Sequence, residues 1–169
     1  MSGKLFVLAI LTCAVVAGAA LYYLQVYGFY RSVEDPGSVT VIGPEGPVDV
    51  AYSGFEAIDA DSSPLRYRAC FDTSVAPQSL PDPLEKAVPR NGPRWFDCFD
   101  APAIAGALEA GEARAFVVTK NIHYGVDRIV AITALGRGYI WHDLNDCGEK
   151  AYDGTVVGEE CPPRPEEAE

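Results

Sequence analysis

Basic residues are scarce in this sequence. Of the 13 Lys and Arg, only Lys4 and Arg31 precede residue 32, and all 24 Asp and Glu follow it. Residues 32–169 therefore hold 11 bases against 24 acids, a formal charge of −13. Such a surplus of acid argues against nucleic acid as a partner and against docking on anionic lipid. Solubility is the plain reading of it, and an acidic face for a cationic partner is the alternative.

The usual signatures of chemistry are also missing. There is no CxxC, no HExxH and no His pair four residues apart, and only two histidines in all. Asp97, Cys98, Asp100, His123 and His142 are zinc-type donors, but they lack a zinc spacing. "DADSSP" (59–64) starts like a calcium loop. It then has Pro64 in place of the turn glycine and Cys70 in place of the bidentate Glu. A hydrolase could set His142 beside Asp143, or His123 with Asp127, yet no G-x-S-x-G or S-x-x-K accompanies them. "GRG" (136–138) is too short for a phosphate loop, and no CxxCH haem signature occurs. No catalytic set, metal or cofactor is expected, and His123, His142 and Asp143 remain the functional candidates.

Charge is absent altogether from "LFVLAILTCAVVAGAALYYLQVYGFY" (5–30). A helix rises about 1.5 Å per residue, so the roughly 20 residues from Leu5 to Leu24 cross a hydrocarbon core of about 30 Å. Tyr22, Tyr23, Tyr27, Phe29 and Tyr30 then form an aromatic belt at the far end. Residues 1–30 are read as a signal-anchor helix that meets inner-membrane lipid through residues 5–30. A cleaved signal peptide competes: Lys4 is its basic start and "AGA" (17–19) its cleavage site. The apolar run continues well past that site, which favours the anchor. A lipoprotein anchor at Cys13 is disfavoured by the Thr before the cysteine. Ala9, Cys13 and Ala17 share one face and offer small residues to a membrane-protein partner; a purely lipid-facing anchor is the alternative. Lys4 and the short N-terminus favour a cytoplasmic start, with the rest of the chain in the periplasm.

The cysteines fit that placement. Cys13 lies in the span, leaving Cys70, Cys98, Cys147 and Cys161, an even set that suggests two disulfides in an oxidising compartment. Three pairings exist. Cys70–Cys98 with Cys147–Cys161 is favoured, because each then closes a Pro- or Gly-bearing loop. The loop-entropy relation makes them worth about 3–4 and about 3 kcal/mol.

Residues 31–47, with three prolines and three glycines, read as a linker with room for one short strand, "SVTVI". Residues 48–161 read as the folded domain. "VDVAYSGFEAIDAD" and "LRYRACF" form a predicted hairpin. In the latter, Leu65, Tyr67, Ala69 and Phe71 should face a core, and Arg66, Arg68 and Cys70 a wetter side. Residues 72–94 carry five prolines and make a long loop, with one helical turn expected near "PLEKAV". Asp100 is the expected N-cap of a helix near 101–110, with Pro102 in its first turn and Gly111 at its end. "ARAFVVT", "DRIVAIT" and "YIWHDL" follow as an antiparallel meander. The alternation in "YIWHDL" puts Trp141 and Asp143 on one face, Ile140 and His142 on the other. Residues 162–169 read as a disordered acidic tail.

"SSPLRYRACF", "WFDCFDA", "GVDRIVAIT", "GRGYIWHDLN" and "CGEKAYDG" together resemble a family of short, single-span alphaproteobacterial proteins classed as a domain of unknown function. The resemblance implies a Gram-negative periplasm and supplies no activity or catalytic residue. The expected fold is α+β: a transmembrane helix, then a small disulfide-stapled periplasmic domain with an antiparallel sheet and one main helix. The expected role is a non-catalytic binding or assembly module for an envelope partner. The alternatives are an envelope hydrolase with His123 or His142 as general base, and a soluble periplasmic protein released by signal cleavage.

Overall fold

The computed structural model describes residues 3–163; most of the tail expected to be disordered (164–169) lies outside them. Helix α1 (Gly3–Tyr23) ends in a single π turn (Leu24–Gly28), closed by Phe29 N donating to Leu24 O at 3.0 Å. Among the described residues nothing buries α1, and residues 3–28 are long and apolar enough to cross a membrane. The Thr12 hydroxyl is satisfied inside the helix, Oγ1 donating to Leu8 O.

The strands are β1 (Arg31–Ser32), β2 (Val39–Gly43), β3 (Gly46–Val50), β4 (Tyr52–Asp59), β5 (Arg68–Thr73), β6 (Ala113–His123), β7 (Val126–Thr133) and β8 (Arg137–Leu144). Six of them form one antiparallel sheet in the order β1-β4-β5-β8-β7-β6, and β2 pairs with β3 in a separate hairpin. Helix α2 (Ala101–Glu109) follows the proline-rich loop. The expected α+β architecture, hairpin, meander and main helix are all present.

The sheet is covered on both sides. On one face Val39, Val41 and Val50 from the β2–β3 hairpin pack with Phe71, Phe116, Val130, Ile132 and Ile140. On the other, Phe96, Phe99 and Ile104 pack with Cys70, Ile129, Ala131 and Trp141. Successive side chains on a strand point to opposite faces. That is why "DRIVAIT" is apolar at almost every position: Ile129 and Ala131 meet α2's side, Val130 and Ile132 the hairpin's. Each large side chain so buried contributes roughly 1.5–3 kcal/mol.

Two expectations change accordingly. Residues 31–47 are more than a linker: the short strand allowed at "SVTVI" is present as β2, one residue later, and its Val39 and Val41 enter the core. The wetter face of "LRYRACF" is not wet: Cys70 is 0% and Arg68 3% exposed. The proline-rich loop lies over that face and holds it dry. The loop's only helical turn is Pro77–Ser79, earlier than "PLEKAV". It is pinned to the sheet by Leu84 N donating to Ala115 O at 2.8 Å and by Leu80 in the first core. The Cys70–Cys98 disulfide closes its base, with Cα atoms 6.2 Å apart, and Cys147–Cys161 staples the last segment at 4.9 Å.

Local chemistry sets the junctions. Asp100 is extended and its carboxylate accepts from Ala103 N at 3.1 Å, capping α2 as expected. Gly111 ends the helix with φ +73°. Gly138 answers a different need. It sits opposite Phe71 in the β5–β8 ladder, and a Cβ there would overlap the Phe71 ring.

Candidate functional site

His142 lies in β8, paired with Arg128 of β7, and is 1% exposed. Arg128 Nε donates to His142 Nε2 at 3.0 Å. An arginine N–H can only donate, so Nε2 is the acceptor and Nδ1 carries the proton. That proton points at Pro64 O, 2.7 Å away, which ties the 61–66 turn to the sheet. Tyr67 stacks on the imidazole (4.9 Å, 13°) and also receives the Arg128 guanidinium over its ring at 4.3 Å. Burial drives the His142 pKa down to about 4; the Pro64 carbonyl opposes the shift, and the Arg128 charge adds to it. The imidazole is therefore neutral near pH 7, with its basic nitrogen already occupied. These are poor conditions for a general base.

His123 is exposed, and its ring lies 5.9 Å edge-on to His142, so the fold brings the two histidines together. It does not bring either to a carboxylate in the expected way. Asp143 is on the opposite face of β8 and accepts from Arg90, at 2.8 Å from Nε and 2.6 Å from Nη2. Asp127 accepts from Asn121 N and Asn145 Nδ2. The zinc-type donors are dispersed as well: Cys98 is oxidised onto Cys70 and Asp100 caps α2. Among the described residues, no three His, Cys, Asp or Glu are grouped to hold a metal. The calcium-like turn instead pairs Asp61 with Arg31 at 2.6 Å.

A second arrangement was not legible as a site in the sequence. A helix leaves its last carbonyls without internal partners. At the end of α1 the domain supplies them. Trp95 Nε1 donates to Val26 O at 2.6 Å. Arg66 Nη1 donates to Gln25 O at 3.1 Å, and Nη2 to the Gln25 side chain at 2.7 Å. A cation at a helix C-terminus is also favoured by the helix dipole. Tyr27 stacks on Trp95 (6.3 Å, 21°), Tyr30 meets Trp95 edge-on (5.7 Å), and Arg66 sits 5.4 Å over the Tyr30 ring.

Between helix end and domain lies a groove of about 750 Å³. Arg66, Arg68, Arg90 and Arg94 line it, and no Asp or Glu does. Arg68 is a buried structural cation. Nε donates to Arg90 O, Nη1 to the carbonyls of Leu65 and Tyr67, and Nη2 to Asn91 O, at 2.6–2.9 Å. Burial lowers its pKa to about 10. Asp97 lines a neighbouring groove with Arg94 and the start of α2. The signal for the basic groove was present as "RYR" and "PRNGPRW", but the chain-wide charge averaged it away.

These features define a small three-layer α+β domain, stapled by two disulfides and clamped to the end of an apolar helix. Residues 38–162 match the family of unknown function DUF6446, and the chain belongs to that family. The match opens one residue before β2, so the hairpin is part of the family's domain. No curated protein and no solved structure matches the chain.

Proposed function

We propose that this is a single-pass membrane protein with a cytoplasmic N-terminus and a periplasmic domain, serving as a non-catalytic binding or assembly module for an envelope partner. The clamp between Trp95, Arg66 and the end of α1 carries this reading, because it fixes the domain against the end of the apolar helix. Two disulfides fit an oxidising compartment. The uncleaved anchor is supported by length: the apolar helix runs past residues 17–19 to Tyr23 and on through the π turn to Gly28. Against catalysis stand the occupied nitrogen and lowered pKa of His142 and the diversion of Asp127 and Asp143 to other partners.

The test has two stages. The mature protein should have its full-length mass, resist extraction from membranes by alkaline carbonate, and expose its domain to protease only on the periplasmic side. Photo-crosslinkers placed at exposed Val88 and at Leu135, the tip of the β7–β8 turn, should then yield a discrete adduct in native membranes. A lone monomer that captures nothing at either position overturns the binding role. A chain shortened near residue 19 and released by carbonate overturns the anchor.

A further inference from the structure

We infer that the groove between the end of α1 and the domain holds the phosphate of an anionic phospholipid headgroup. The inference rests on the membrane-anchored reading above and names the ligand that reading leaves open.

Charge is the first observation. The chain from residue 32 carries 24 acids and 11 bases, yet four of those bases line this one groove and none of the acids does. The nearest ion pair, Arg90 with Asp143, engages one of the four. Arg68 is committed to backbone carbonyls and Arg66 to Gln25. Arg94 is exposed, and among the described residues it has no hydrogen-bond or ion-pair partner. Arg94 also borders the neighbouring groove that Asp97 and Asp100 line, so the anion site is the side it shares with Arg66, Arg68 and Arg90, where no acid lines the wall. The planar fork of its guanidinium matches phosphate oxygens in pairs.

Position selects the source of that anion. About 20 residues of α1 use up the hydrocarbon thickness, so Gln25 and Val26 fall at the membrane boundary. The groove begins there, with Tyr22 and Tyr27 on its helix side and Trp95 on its domain side. Such rings sit at headgroup depth. A lipid phosphate beside the span is thus presented to Arg94 without leaving its leaflet, while acyl chains stay along α1. About 750 Å³ accommodates a glycerophosphate headgroup. The acidic remainder of the domain repels the same leaflet, which leaves this face as the one that can approach it.

The experiment uses the full-length protein in a neutral detergent, with native mass spectrometry against added phosphatidylglycerol. Phosphatidylcholine and inorganic phosphate are run as separate arms. Retained phosphatidylglycerol adducts are expected at lower lipid concentration than phosphatidylcholine adducts, with no displacement by equimolar inorganic phosphate. Arg94→Gln should raise the concentration for half-occupancy about fivefold, the effect of one surface arginine on anionic lipid. Its melting temperature should not change, since among the described residues the side chain has no bonding partner. Arg66→Gln should weaken binding as well. Equal phosphatidylglycerol occupancy in wild type and both variants overturns the site. So does equal retention of the two lipids, or displacement by inorganic phosphate, which marks a site for soluble anion. An integral, full-mass chain whose adducts ignore Arg94 and Arg66 removes the lipid site and leaves the anchor standing. Carbonate release of a shortened chain removes the anchor itself.

Discussion

The indole N–H of Trp95 reaches the backbone oxygen of Val26 at 2.6 Å, across 69 positions of sequence. The bond makes the last turn of the apolar helix part of the folded domain. Trp95 is 38% exposed, so its ring is a contact made outward, toward Tyr27 and Tyr30, more than a core residue. Trp95→Phe keeps the ring and removes the donor. We expect a local loss of about 1 kcal/mol. It should appear as faster amide exchange at Phe29 and Tyr30, with the unfolding midpoint of the domain unchanged.

The two disulfides should differ in worth although both close loops. Cys70–Cys98 joins the sheet to the loop that dries it, and both cysteines belong to the second core cluster. Cys98→Ser should cost about 3–4 kcal/mol in denaturant unfolding. Residues 145–163 contain no buried residue, so their staple restrains a segment outside both cores. Cys161→Ser should therefore lower global stability by less than about 1 kcal/mol, while raising proteolysis within 145–163.

Acid should weaken the fold through His142. Its folded pKa is about 4, below the ordinary 6.5. Between those values the unfolded chain binds the extra proton and the folded chain does not. Stability is thus full above about pH 6.5, falls as pH drops through that window, and has lost its whole share near pH 4. The share is about 2 kcal/mol after allowance for partial hydration. Urea midpoints at pH 7, 6 and 5 measure the slope, and His142→Gln should abolish this component whatever its own stability.

Arg68 offers a sharper test of geometry than of charge. Its guanidinium serves four carbonyls from two segments, Leu65 and Tyr67 on one side, Arg90 and Asn91 on the other. Lysine keeps the charge but cannot span that fan of acceptors. Arg68→Lys should destabilise by about 2–4 kcal/mol in thermal unfolding.

How much could be read beforehand follows from where each signal sits along the chain. Asp100, Pro102 and Gly111 mark α2 by local backbone chemistry, and α2 runs as they imply. The meander strands carry their own Gly turns. The favoured cysteine pairing agrees with the fold because each pair closes the loop between two cysteines that follow one another in sequence, Cys70–Cys98 across 28 positions and Cys147–Cys161 across 14. The burial of Arg68 and Cys70 was invisible because the residues that cover them, Phe96 and Phe99, come more than 20 positions later. Dense Pro and Gly around β2 mimicked a linker, when they serve a tight hairpin laid on the sheet. The arginine groove was hidden for the same reason. It is assembled from residues 22–30, 63–68 and 90–95, and none of these stretches is basic enough alone to stand out from an acidic chain.

Two carbonyl contacts and a ring stack at the end of α1 also act as a steering joint. The π turn sets the angular phase at which Gln25 and Val26 meet Arg66 and Trp95. Rotating the helix about its own axis therefore swings the domain through the same azimuth. The heading of α1 thus also decides which side of the domain faces outward from it.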